Sequence, residues 1–163
     1  MRKQIAGLLL LGLLIAFGCS RGPIREQNNA SLPITNSPPV DLNAALAEAQ
    51  TQHKLVLLDF TGSDWCPPCM QLHKEIFSRP EFQSYAESNL VFLTVDFPLK
   101  TFRLTPEAAA TNDLLMAKFN IEGYPTLVAL DGQGKEIWRH LGFLDGGLKK
   151  LSEELASAKS QIK

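Results

Sequence analysis

Hydrophobic and polar positions divide the chain into three stretches of different character. Ile5 through Phe17 is an unbroken run of apolar and small residues behind the cationic pair Arg2 and Lys3. Residues 20–40 carry Pro, Ser and Asn with scattered apolar side chains and no period. From Asp41 onward the pattern becomes regular. Asp41 is placed to cap a helix through about Gln52, with Leu42, Ala45, Leu46 and Ala49 on one face. Leu55 to Phe60 and Leu90 to Val95 are short apolar runs, as expected of strands buried on both faces. Between them a helix is expected from Cys66 to about Phe77, and after the Arg79-Pro80 break a shorter one from Glu81 to Glu87. A further helix is expected from about Glu107 to Phe119. Thr126 to Leu130 and Lys135 to His140, joined by Asp131-Gly-Gln-Gly134, read as a β-hairpin. A last amphipathic helix covers about Asp145 to Ala158. The order α-β-α-β-α-β-β-α predicts an α/β domain with one parallel crossover and an antiparallel terminal pair.

The amino-terminal run is shorter than the roughly 20 apolar residues a membrane-spanning helix needs, and it fits the core of a signal peptide at residues 1–18. Ala16-Phe-Gly-Cys19 resembles the lipobox of bacterial lipoproteins, which implies cleavage before Cys19 and its acylation. The match departs from the usual pattern, where a leucine stands at the place of Ala16 and a small residue at that of Phe17. Three cysteines are an odd number for an oxidising compartment, and acylation of Cys19 leaves one pair. Residues 19–40 then read as a tether, too poor in apolar surface to offset the entropy of ordering it. The domain is expected over residues 41–163. Loss of the first 18 residues leaves 14 basic against 17 acidic groups, net −3, with no basic excess to suggest nucleic acid.

The chemistry concentrates in Asp59-Phe-Thr-Gly-Ser-Asp-Trp-Cys-Pro-Pro-Cys69, a C-x-x-C pair between a buried strand and a helix. A sulfur at a helix start faces free N–H groups and the positive end of the helix dipole, which favours thiolate. Cys69, one turn further on, is expected to be the more shielded of the two. A metal site competes on spacing, because Cys66, Cys69 and His73 form C-x2-C-x3-H. Structural zinc takes four ligands, however, and only His53 and His140 remain, so no metal is expected.

Trp65-Cys66-Pro67-Pro68-Cys69 resembles the W-C-x-x-C site of the thioredoxin family. Gly123-Tyr-Pro-Thr126 resembles its cis-proline loop, about 56 residues beyond Cys69. Phe60-Thr-Gly-Ser-Asp-Trp-Cys66 with Val95-Asp-Phe-Pro98 is similar to a subgroup of exported bacterial thioredoxin-like proteins. The resemblance implies a thioredoxin fold with a central mixed four-stranded sheet, βαβ plus β-hairpin, flanked by helices. It implies thiol-disulfide exchange, with Cys66 attacking and Cys69 resolving, and no cofactor beyond that pair. Its implied partners are disulfide-bearing exported proteins and a membrane thiol reductant. The alternative is a binding module of the cell envelope on the same fold, in which redox turnover is incidental. A cis Tyr124-Pro125 bond is also implied; such bonds make up only about 5% of X-Pro bonds in folded proteins. It would leave the Tyr124 backbone free to pair with an extended substrate segment.

Asp59 resembles the family's buried aspartate, which helps move the proton of the resolving thiol. Six residues separate it from Cys66 where the family has five, which leaves open a plain strand-end aspartate bonded to nearby N–H groups. Trp65, Asp64 and Phe97 are expected along the substrate surface, and Trp138 in packing. Pro67 and Pro68 suit a first helical turn but bring no N–H to the Cys66 sulfur. Weaker thiolate stabilisation favours electron donation, so a reductase is expected. The segment from Lys100 to Asn112 either extends the following helix or covers the flank of the site.

Overall fold

The computed structural model describes residues 39–100 and 103–162; the expected signal peptide, Cys19 and nearly all of the tether lie outside them. Helix α1 runs Leu42–Gln52, and the Asp41 carboxylate accepts from the Ala44 N–H at 2.9 Å, capping it as its position predicts. Strand β1 (Leu55–Thr61) follows, then helix α2 (Pro67–Leu72), whose last turn passes into a π-helical stretch, His73–Phe77. Helix α3 (Pro80–Asn89) is longer than expected, because it starts at the proline itself, which suits a first helical position. Strand β2 (Leu90–Asp96), helix α4 (Pro106–Lys118), strands β3 (Thr126–Leu130) and β4 (Glu136–Leu141), and helix α5 (Gly147–Ser160) complete the domain.

The four strands lie in the order β2-β1-β3-β4. β1 pairs parallel with β2 and antiparallel with β3, and β3 with β4 antiparallel, giving the mixed sheet expected. The hairpin turns on Asp131, whose carboxylate accepts from the Gln133 and Lys135 N–H groups at 2.9 Å each, with Gly134 supplying a φ of 82°. β1 and β3 are buried throughout. β2, expected to be buried on both faces, is an edge strand: Phe92 and Leu93 are half-buried and Thr94 is exposed.

Alternation along β1 sorts the core into two layers. Leu55 and Leu57 point into a cluster with Leu72, Ile76, Phe77, Phe82, Leu151 and Leu155, beneath α2, the π turns, α3 and α5. Val56, Leu58 and Phe60 point the other way, toward Ala45 and Ala49 of α1 and Leu115 and Phe119. Asp59 therefore falls on the layer roofed by the helix that carries Cys69, a consequence of its odd position in the strand.

Candidate functional site

β1 delivers the chain to the site. Phe60 pairs with Thr126 across the sheet, so the end of β1 lies beside the residue that follows Pro125. Beyond Thr61 the chain turns, with the Cys66 N–H donating to the Gly62 carbonyl at 3.0 Å, and α2 begins with Cys66 as its N-cap. Pro67 and Pro68 occupy its first two positions, where a missing N–H has no intrahelical partner to lose. Cys66 and Cys69 are joined in a disulfide with an S–S length of 2.07 Å. The Tyr124-Pro125 peptide is cis. Trp65 ties the two halves together, its ring meeting the Tyr124 ring edge-on at 5.7 Å between centroids.

Cys66 is 3% exposed and Cys69 2%, so both are shielded and not Cys69 alone. Joining the sulfurs removes surface from each of them. The rim is more open, with Trp65, Pro67 and Met70 exposed around the pair. His73 is also exposed, and among the described residues no three His, Cys, Asp or Glu side chains gather in a metal-binding group.

A run of hydrogen bonds clasps the loop before Cys66 to the segment after β2. The Phe97 N–H donates to the Thr61 carbonyl at 2.8 Å, and the Trp65 indole N–H to the Phe97 carbonyl at 2.7 Å. The Asp96 carboxylate accepts from both the backbone N–H (2.9 Å) and the hydroxyl (2.6 Å) of Ser63. Asp64 reaches the other way, accepting from the Leu99 N–H at 2.9 Å and the Lys100 N–H at 3.3 Å, with an Arg103 guanidinium nitrogen at 3.9 Å. Desolvation pushes the Asp64 carboxyl up, but those two amides and Arg103 outweigh it and hold it below the usual value. Asp64, expected along the substrate surface, thereby ties the active-site loop to the segment after β2. Phe97 is half-buried against Tyr124, ring centroids 5.4 Å apart. From behind, the amide nitrogen of Asn112 on α4 donates to the Asp96 carbonyl at 2.8 Å. The described residues from Arg103 to Asn112 do both things expected of that segment. Arg103 flanks the site, and α4 is extended back to Pro106 under a Thr105 cap.

Asp59 is 4% exposed, and among the described residues nothing donates to its Oδ1. The plain reading of a strand-end aspartate tied to backbone amides does not hold at that atom. Burial first, and the nearby charge of Asp96 second, push its pKa up to about 7. A carboxyl poised there can take or give a proton near neutral pH, on the side of the sheet covered by the helix that carries Cys69.

Sequence reasoning assigned no role to Gly62, Ser63, Asp96 or Asn112. Asp96 left the clearest trace, a charged residue at the end of an apolar strand run. A Cβ on Gly62 would stand 2.5 Å from the Trp65 ring, so glycine there is what lets the indole fold back over the loop. Trp138, expected in packing, is half-buried against the core with its indole N–H on Glu154 at 3.0 Å.

A family profile described as a thioredoxin-like domain matches residues 42–158, from the start of α1 to near the end of α5. The chain belongs to the thioredoxin-like family. Among curated members of that family it is 38% identical over 103 residues to the disulfide bond reductase DsbH of Chlamydia pneumoniae, covering 63% of this chain and 61% of that one. It is 37% identical over 126 residues to the thiol:disulfide interchange protein DsbD of Cronobacter sakazakii, covering 76% of this chain but 20% of that much longer protein. The solved structure of a DsbH oxidoreductase superposes with a TM-score of 0.68 at 32% identity, over 80% of this chain and 90% of that one. The thioredoxin-like domain is thus matched almost whole, while the chain spans 61% and 20% of the length of these two curated relatives.

Proposed function

We propose that this chain is an extracytoplasmic thiol-disulfide oxidoreductase that reduces protein disulfides through Cys66 and Cys69. The observation that carries the reading is the Cys66–Cys69 disulfide at the head of α2, with Trp65 packed on the residue before the cis proline. In the reduced protein the Cys66 thiolate attacks one sulfur of a substrate disulfide, and the other substrate sulfur leaves as thiolate. The Cys69 thiolate then attacks the Cys66 sulfur of the mixed disulfide and expels the second substrate sulfur. Two electrons pass to the substrate, two protons complete its thiols, and the chain is left with the bond seen here. Asp59 accepts the Cys69 proton before that second attack. Trp65, Tyr124 and Pro125 receive the substrate segment, and Pro67 and Pro68 shape the loop. No organic cofactor or metal takes part.

The reductive direction is supported by the two prolines, which bring no N–H to the Cys66 thiolate, and by similarity to a protein named a disulfide bond reductase. A measured potential close to the about −120 mV of strong periplasmic oxidants would overturn it. An upstream thiol donor in the membrane restores the dithiol. Residues 1–18 act as an export signal and acylated Cys19 anchors the domain, with Ser20 next to it in place of the aspartate that often retains lipoproteins at an inner membrane. Mass measurement of the mature amino terminus, with Cys19→Ser as comparison, tests this. Among the described residues no helix is long and apolar enough to cross a membrane.

The decisive experiment is trapping. Cys69→Ser should accumulate mixed disulfides through Cys66, and Cys66→Ser should accumulate none and lose insulin reduction. If Cys66→Ser reduces insulin at the parent rate, the oxidoreductase reading fails and a binding module takes its place.

A further inference from the structure

Asp96 stands where two features of the site meet. Its carboxylate takes both hydrogens that Ser63 can offer, three residues ahead of Cys66. Its register partner across β1·β2 is Thr61, so it lies diagonally from Asp59 on the same side of the sheet. It is itself 8% exposed, and Asn112 fixes its backbone from the α4 side. Two buried carboxyl groups thus share one end of the sheet, one fully engaged by the loop and the other with an unpartnered oxygen.

We propose that Asp96 is a positioning residue for the dithiol chemistry, fastening the loop that presents Cys66 and setting, through its charge, the protonation of Asp59. This rests on the reading of Asp59 as the group that receives the Cys69 proton. The other elements around Asp59 supply little competing charge. β3 holds no charged residue from Thr126 to Leu130, and α2 none from Pro67 to Leu72. His73, Lys74 and Glu75 of the π turns are exposed, as are Glu81 and Glu87 of α3. On α5, Glu154 is engaged by Trp138 and lies 3.9 Å from Lys150. Asp64, on the loop, faces Leu99, Lys100 and Arg103. Like charge disfavours ionisation of a buried acid, so Asp96 keeps the Asp59 proton on to a higher pH than burial alone would. The arrangement lets Asp59 hold a proton when the disulfide is closed and still release it near neutrality.

The two actions separate by mutation. Asp96→Asn removes the charge and keeps an acceptor for the Ser63 N–H, whereas Ser63→Ala removes the hydroxyl bond and keeps the charge. The measurement is the titration of the Asp59 carboxyl carbon by NMR in the oxidised, full-length protein. Asp96→Asn should lower its midpoint by about half a pH unit or more, while Ser63→Ala should leave it in place. Asp96→Glu should restore a raised midpoint. Should the asparagine variant fail to fold, Asp96→Ser serves the same comparison. An unmoved midpoint on loss of the Asp96 charge, or an equal fall in Ser63→Ala, overturns the proposal. The titration needs no turnover, so it can fail while trapping through Cys66 succeeds, and the two readings fall separately.

Discussion

The two faces of the sheet are built from alternate residues of the same strand, yet they tolerate different things. Toward α1 and α4, β1 presents Val56, Leu58 and Phe60, apolar to the end, closing on Phe119 with ring centroids 6.0 Å apart. Toward α2 and α5 it presents Leu55 and Leu57 and then changes to Asp59 and Thr61, both buried. The first face follows the rule that a buried side chain should be apolar or satisfied. The second breaks it only at the end that leads into the cysteine-bearing loop. A buried carboxylate without a partner costs stability, and placing it at that end alone confines the cost to where a titrating group is useful.

Adjacent residues of β1 should therefore respond with opposite signs. Phe60→Ala is expected to destabilise by about 3–5 kcal/mol, read from denaturant unfolding, because it opens a cavity in a fully buried apolar layer. The rate of disulfide reduction per folded molecule should not change. Asp59→Asn should instead stabilise the protein at alkaline pH. The folded-state pKa of about 7 lies above the ordinary 3.8, so the folded protein holds this proton more tightly than the unfolded chain. The relative stability from protonated Asp59 is complete below about pH 4 and is lost as pH rises through 7, in total up to about 4 kcal/mol. Urea titrations at pH 5 and pH 8 should thus show the advantage of Asp59→Asn growing with pH. Disulfide reduction should slow in the same variant. A variant that is no more stable at pH 8 than at pH 5 would mean that Asp59 is not held protonated by its surroundings.

Gly62→Ala gives a smaller effect and tests the clasp. The added methyl meets a tryptophan held by the Phe97 carbonyl and the Tyr124 ring, and should cost about 1–3 kcal/mol. A shift in tryptophan emission should report the displaced indole. Unchanged emission and stability would show that Trp65 moves aside freely and that the clasp does not fix it.

Much of this was legible in order and period. The Asp41 cap, the buried run of β1, the hairpin turn at Asp131 and Gly134 and the C-x-x-C pair at a strand-to-helix junction all act within a few residues of each other. Local chemistry is enough to read them. The edge position of β2 was not legible, because Leu90 to Val95 is as apolar as a central strand and only the strand order exposes Thr94. The π turns at His73–Phe77 had no proline or glycine to announce them. The partners of Asp64 were not legible, because they lie 35 and 36 residues away.

The amino-acid order by itself determined that two cysteines one helical turn apart would stand at the head of a helix fed by a buried strand, since apolar period, proline position and capping are short-range. Only the tertiary structure decided what surrounds them. The pairing of β1 with β2 brought Asp96 to Ser63 and Asp59, and its pairing with β3 brought the end of β1 beside Pro125. A carboxyl group's proton affinity depends on burial and neighbouring charge, and both are properties of the folded surroundings rather than of the residue.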